Sequence, residues 1–404
     1  FPNDPPTFVV MEARAADCED RCDQIEREMR DSKAAERFAL KQSQTFVDQM
    51  EGFALELEDE LLNFSDVSYK SFVKSESEII TLFYDKFADI PLLSRMDAVA
   101  ETFIDEIETL LNRDLPEEER IPLIEKFRKM YETMDFYVLY NRFLKKEGYQ
   151  TLPRRPLEKR KLRYEDVYPV LYLKYRLSRQ AERSNIKHLV IDEMQDYSRL
   201  QYLIIRRMFS CKMTILGDRA QTMADQQQDV LQFLPGIFGK DLRRIEMRKS
   251  YRNTVEIASY AANLIGVTDL ELFERHEMPV LERNVTDLEA ALREAVDTLF
   301  PDEKTYETAA VIVPDEKTAE RAYLILREIL AEKDFDCEKR LSWLNRDSSS
   351  FKKGLTVTTF YLAKGLEFDQ VFSIFPKDEK REMMMQAQYI AATRALHELR
   401  VYHI

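Results

Sequence analysis

The sequence predicts an α/β protein whose first 150 or so residues form a long, acidic, helical section. Three observations carry this expectation. The 404 residues hold 60 Lys+Arg and 74 Asp+Glu, a net charge of −14, yet residues 1–150 alone hold 19 basic and 34 acidic residues, a net of −15. Within that part, apolar residues recur three and four positions apart, the period of one helix face. From about residue 161 onward, short apolar runs alternate with helical stretches, the pattern of a sheet covered by helices.

Composition narrows the class. An apolar fraction of 45% suits a globular chain. No run approaches the roughly 20 apolar residues of a membrane span, and no signal peptide is visible, so no membrane partner is expected. Four cysteines (18, 22, 211 and 337) are too few for a disulfide scaffold, and free thiols suit a cytoplasmic location. The four histidines lack zinc-site spacing. None of the eight glycines sits in a G-x-x-x-x-G-K-[ST] phosphate loop. Because the chain starts at Phe1, it is expected to be truncated, with the loop upstream.

In the acidic part, Cys18, Cys22, Ile25 and Met29 follow helical spacing, as do Phe46, Met50, Phe53, Leu57 and Leu61. Val99, Phe103, Ile107 and Leu111 step by fours, and Phe127, Met130 and Met134 continue the pattern. Helix breaks are expected near Pro91, Pro116 and Pro122. Leu115–Arg120 (LPEEER) resembles a helix start with acids in its first turn. Cys18 and Cys22 lack further metal ligands nearby and read as core. The acidity has two readings: a solvated helix surface, or an arm that enters a basic channel on a partner. Such a surface would not bind nucleic acid by itself.

Thr151–Lys161 (TLPRRPLEKRK) reads as a connection. Strands are expected at Lys187–Ile191, Met213–Leu216, Ala309–Val313, Leu355–Thr359, Gln370–Phe375 and Leu399–Tyr402. Several are apolar on both faces, as buried parallel strands are. Helices are expected at Leu200–Phe209, Val255–Leu264, Asp287–Leu299, Asp315–Ala331 and Met383–Leu396. Thr286 and Glu289 have capping-box spacing.

Five blocks carry chemistry. In His188–Asp196 (HLVIDEMQD) an apolar strand ends in two carboxylates. Asp192 can hold Mg²⁺ through water while Glu193 polarises an attacking water. Read alone, an Asp-Glu pair also serves as a helix cap. Lys212–Gln221 (KMTILGDRAQ) supplies Gln221, whose amide both donates and accepts. Lys249–Asn253 (KSYRN) supplies Arg252 for phosphate and Tyr251 for a base. Val357–Asp369 (VTTFYLAKGLEFD) holds Lys364, Gly365 and Glu367, and Tyr389–Leu396 (YIAATRAL) places Arg394 on a helix.

These blocks, in this order, resemble the motor motifs of superfamily 1 helicases of the UvrD/Rep type. The resemblance implies two RecA-like P-loop NTPase domains, the first incomplete, with a long helical insertion. Residues 1–160 would be the insertion, 161–265 the rest of the first domain and 266–404 the second. It implies ATP and Mg²⁺ as cofactors and DNA as a partner. By matching motif, Asp192 resembles the metal-side acid, Glu193 the catalytic base and Gln221 the γ-phosphate sensor. Tyr251 resembles the adenine-stacking residue and Glu367 a ribose contact beside the Gly365 turn. Arg252 and Arg394 resemble the arginines that clamp the γ-phosphate, Arg394 as an arginine finger.

Three departures stand out. The adenine motif and phosphate loop are missing, so the chain alone is expected to be inactive. The usual His of the fourth block is Tyr361. Lys364 lies only 112 positions after Arg252, little room for a large accessory domain. Arg163–Leu177 (RYEDVYPVLYLKYRL), with IDEMQDYS and LGDRAQ, resembles the HelD branch. That resemblance implies a bacterial, cytoplasmic factor that remodels or recycles RNA polymerase. A DNA helicase or translocase of repair or recombination is the alternative, and a non-enzymatic scaffold the third.

Overall fold

Polar caps set the rhythm of the first helices. Asp20, Asp31 and Ser43 each accept a hydrogen bond from a first-turn amide, starting α1 (Arg21–Arg30), α2 (Ser32–Gln42) and α3 (Gln44–Glu60) in succession. The computed structural model describes residues 15, 17–179, 185–218, 230–247, 249–267, 271–299, 306–332, 336–346, 348, 353–377 and 382–404. The chain divides into two compact units. One comprises Phe1–Asp192, Tyr197–Leu216 and Val230–Lys240, the other Glu193–Asp196, Gly217–Asp229 and Asp241–Ile404.

In the first unit, β1 (Asp17–Cys18) precedes α1, and a hairpin of β2 (Val67–Tyr69) and β3 (Phe72–Lys74) follows α3. Next come α4 (Glu76–Thr81), α5 (Leu92–Leu111), α6 (Glu117–Arg128) and α7 (Phe136–Lys146). Then β4 (Lys161–Leu162) pairs in parallel with β1 and leads into α8 (Tyr164–Leu177). β5 (His188–Ile191) pairs in parallel with β6 (Lys212–Ile215), with α9 (Arg199–Met208) between them in sequence and α10 (Val230–Phe238) after.

The predicted stripe Phe46–Leu61 and, apart from Leu111, which is exposed at the end of α5, the predicted stripe Val99–Leu111 are buried, and they share one core with Val170 and Leu173 of α8 and Leu200 of α9. The helices of the acidic part and α8 therefore bury their apolar faces against each other.

Three local expectations are corrected. Met130 and Met134 lie beyond the end of α6 and not on a helix face with Phe127. Cys18 lies on β1 rather than on a helix with Cys22. As expected, α6 starts after Pro116, with Glu117, Glu118 and Glu119 in its first turn, but Pro122 lies inside α6 and does not break it. Leu123 and Phe127 on the same helix are buried in the core, which outweighs the one hydrogen bond that proline cannot donate.

The second unit is built on a six-stranded, all-parallel sheet. Its chain order begins with β7 (Lys249–Ser250), α11 (Val255–Ile265) and β8 (Glu271–Leu272), then β9 (Leu281–Asn284), α12 (Leu288–Asp297), β10 (Thr308–Val313) and α13 (Glu316–Ala331). The short α14 (Cys337–Arg340), β11 (Leu341–Trp343), β12 (Gly354–Thr359), β13 (Phe368–Phe375), α15 (Glu382–Thr393) and β14 (Ala395–His403) complete it. The strand order is β11-β12-β10-β13-β14-β9, with every pairing parallel. Leu292 of α12 and Leu326 of α13 share a core with Val311, Val357 and Phe372 on one face. On the other, α15 packs on β13 and β14, and α11 packs on α15. β10, β12 and β13 are buried nearly throughout, which is why they read as continuous apolar runs.

Two boundaries differ from expectation. The cap of α12 is Asp287, whose carboxylate accepts from the Ala290 amide, rather than Thr286. Helix α15 stops at Thr393, so Arg394 lies in the turn before β14 and not on the helix. Sheet pairing sets this limit, because Ala395 is already in register with Phe368 and the Phe368 amide donates to the Arg394 carbonyl at 2.9 Å.

Candidate functional site

The first block ends in a strained turn. Asp192 is exposed after β5, and the backbone then turns at Glu193 with φ of +51°. A non-glycine residue in that region costs about 1–3 kcal/mol and persists only where its surroundings hold it. Several contacts do so. The Asp196 amide donates to the Glu193 carbonyl at 2.9 Å. Buried Gln195 donates through Nε2 to Glu193 Oε2 at 2.6 Å, and its Oε1 accepts from the Asp218 amide at 3.2 Å. Gly217 closes the arrangement: a Cβ there would lie 2.5 Å from Gln195 Oε1 and 2.6 Å from the Met194 nitrogen. This glycine is needed for close approach.

The third block sits on the small β7–β8 pair. Tyr251 and Phe273 follow the last pair in register, Ser250↔Leu272, with ring centroids 5.6 Å apart. Lys249 Nζ lies 5.4 Å from the Tyr251 centroid. Tyr251 is 63% exposed, an aromatic face open to a flat partner. Arg252 Nε lies 2.6 Å from Glu367 Oε1. Buried Asn253 donates both amide hydrogens, to the Thr393 carbonyl at 3.2 Å and the Ala395 carbonyl at 2.7 Å. Its amide therefore brackets Arg394. Arg275 donates to the Arg252 carbonyl at 2.8 Å and also to the Leu396 carbonyl.

Arg394 is 1% exposed. Its guanidinium donates to the carbonyls of Ile390 at 3.3 Å and Leu366 at 3.4 Å. Burial lowers its pKa, the Arg252 charge lowers it further, and Glu193 and Glu367 partly offset this. Glu193, Arg252, Glu367 and Arg394 are thus gathered within electrostatic reach. Gly365 makes the intervening turn with φ of +76°. Nothing lies within 4 Å of where its Cβ would be, so the glycine serves backbone conformation alone. Lys364 Nζ lies 2.5 Å from Asp196 Oδ1. Tyr389 donates to Asp218 Oδ2 at 3.4 Å, and burial, with that carboxylate, raises its phenol pKa.

Other expected residues fall elsewhere. Gln221 lies outside the described residues. Tyr361 is buried edge-on against Phe360, with centroids 5.2 Å apart. Asp369, the last acid of its block, accepts from the Glu307 and Thr308 amides and the Thr308 hydroxyl, fixing the start of β10. Sequence reasoning assigned no role to Gln195, Asp196, Gly217, Asn253 or Arg275. Four of them lie inside the quoted blocks, but spacing does not show which atoms a buried amide or a glycine meets.

Two neighbouring guanidiniums, one of them paired with Glu367, supply the planar donor forks that a nucleotide phosphate chain can accept from. Among the described residues, no group of three His, Cys, Asp or Glu is arranged for a metal. An ion held by Asp192 would take its remaining oxygen ligands from phosphate and water, which is how Mg²⁺ is commonly bound.

A sequence profile of the UvrD/REP helicase N-terminal domain matches residues 19–223. No curated protein matches the chain. Among solved structures, the C-terminal domain of a possible DNA helicase from Lactobacillus plantarum is 22% identical at a TM-score of 0.30, covering 38% of this chain and 88% of that one. The PRRSV helicase is 14% identical and arterivirus nonstructural protein 10, a helicase in complex with DNA, 15%, each at a TM-score of 0.30 and covering 66% of this chain. The chain spans 45% and 51% of those two viral proteins. The profile match, reaching over half of the sequence and taking in the His188–Asp196 block, carries the assignment: the chain belongs to the UvrD/REP helicase family.

Proposed function

We propose that this chain is the motor portion of an ATP hydrolase with two RecA-like domains, a HelD-like factor that remodels or recycles RNA polymerase. The observation that carries the hydrolase reading is the gathering of Glu193, Arg252, Glu367 and Arg394 from four separate blocks. Glu193 acts as the base that takes the proton of the attacking water. Asp192 holds Mg²⁺, which neutralises developing phosphate charge when bound. Arg252 and Arg394 bind the γ-phosphate, Gln221 senses it, Tyr251 stacks on adenine, and Glu367 contacts ribose beside the Gly365 turn. The polymerase reading rests on the resemblance of Arg163–Leu177 to the HelD branch and on the acidity of residues 1–150, which suits a basic partner surface.

The test is ATP turnover by the protein expressed from its complete coding sequence, measured alone, with RNA polymerase and with single-stranded DNA. Stimulation by polymerase, abolished in Glu193→Gln while nucleotide binding persists, supports the reading. Stimulation by DNA with no response to polymerase supports the DNA translocase instead. The absence of any turnover above the Glu193→Gln background refutes the hydrolase assignment.

A further inference from the structure

The basic residue of the AKGLEFD block, Lys364, has a partner that the proposed chemistry does not use. Its ammonium lies 2.5 Å from Asp196 Oδ1, and both side chains are largely removed from solvent. Asp196 closes the turn that begins at Glu193, since its amide donates to the Glu193 carbonyl. That turn carries the left-handed Glu193 backbone, so whatever fixes its far end fixes the direction of the Glu193 carboxylate. The residues next to Lys364 meet the other charged groups of the site. The Leu366 carbonyl accepts from Arg394 at 3.4 Å, and Glu367 pairs with Arg252 at 2.6 Å. Residues 364, 366 and 367 therefore hold the Glu193 turn, Arg394 and Arg252 respectively.

We propose that Lys364 is a positioning residue: through Asp196 it sets the Glu193 turn in register with the two arginines. This rests on the hydrolase reading above for its consequence, though not for its geometry. An ion pair with little solvent around it is strongly coupled, and removal of one member leaves the other charge without its partner. The near end of the turn is held separately, by Gln195 and the close approach of Gly217. Loss of the Lys364 contact should therefore loosen the turn without unfolding the sheet.

The experiment uses Lys364→Met, which keeps the aliphatic stem, Asp196→Asn, and the double variant. The first readout is hydrogen exchange at the Asp196 and Asp218 amides of this chain, which requires no activity. Each single variant is expected to exchange about tenfold faster or more at Asp196, with exchange in β10 and β13 unchanged, and the double variant should exchange no faster than either single. The second readout is turnover by the protein from its complete coding sequence. There kcat should fall in both single variants, with the KM for ATP within about twofold of wild type, and the charge-exchanged pair Lys364→Asp with Asp196→Lys should recover part of it. Unchanged exchange at Asp196 overturns the proposal, as does a rise in KM with Lys364→Met that Asp196→Asn does not share, since that marks direct phosphate binding. Wild-type protein without ATP turnover defeats the hydrolase reading, while the exchange readout still decides whether Lys364 holds the turn.

Discussion

Gly217→Ala is the most direct probe of how the Glu193 turn is built. The added Cβ would lie 2.5 Å from Gln195 Oε1 and from Met194 Cγ, and 2.6 Å from the Met194 nitrogen. The Met194 thioether can swing aside, but the backbone nitrogen cannot. The turn must therefore move by about 1 Å, and overpacking of this kind costs about 1–3 kcal/mol. Gln195 Oε1 is also the acceptor for the Asp218 amide, and losing that bond costs about 1 kcal/mol more. Together these give about 2–4 kcal/mol, roughly a 30-fold to several-hundred-fold rise in local opening. Hydrogen exchange at the Asp218 amide reads this directly. Fluorescence of Trp343, the only tryptophan and a member of β11, reports whether the sheet of the second unit unfolds at lower urea. Gly52→Ala is the control of opposite sign. Gly52 lies within α3 with nothing inside 4 Å of its Cβ position, so alanine there should stabilise the helix by about 0.5–1 kcal/mol. Wild-type protection of the Asp218 amide in Gly217→Ala would refute the close-packing argument.

Two further outcomes follow from charge and burial. Arg394→Ala should reduce ATP turnover by roughly 10³-fold or more if the side chain acts as an arginine finger, and turnover within a few fold of wild type would remove that role. Glu28 on α1 is buried, and burial raises its pKa above the usual 4.5 despite Arg21 and the Gln24 hydrogen bond. A raised folded pKa means that this group's stabilising contribution is complete below its unfolded value and is lost as pH rises through the folded one. Glu28→Gln should therefore gain stability relative to wild type between acid and neutral pH, measured by urea denaturation of the helical signal. An identical pH slope in the two proteins would contradict it.

The sequence by itself determined the four central strands of the second unit's sheet, β10, β12, β13 and β14, but not its edge strands β9 and β11 or the small β7–β8 pair. Those four begin and end within about four residues of their expected positions, because each apolar run is short and bounded by turns, whereas the edge strands are too polar or too brief to stand out. It also determined the charge division and the main helical stripes of the acidic part, Phe46–Leu57 and Val99–Ile107, since periodicity records which face is buried, though Cys18, Leu111, Met130 and Met134 fell outside the buried helix faces expected for them. Only the tertiary structure decided the rest. Arg394 left its helix because β13 recruited the next residue into the sheet, a long-range pairing that no local pattern contains. Pro122 stayed within α6 because burial of Leu123 and Phe127 outweighed a local preference. The motif blocks named Glu193, Arg252, Glu367 and Arg394, but not what holds them. Gln195, Gly217, Asn253, Arg275 and Lys364 act through contacts between residues distant in sequence, such as the 140 positions between Asn253 and Thr393. Hydrogen bonds and close packing at that separation depend on how the chain returns on itself, and residue type and spacing leave that path unspecified.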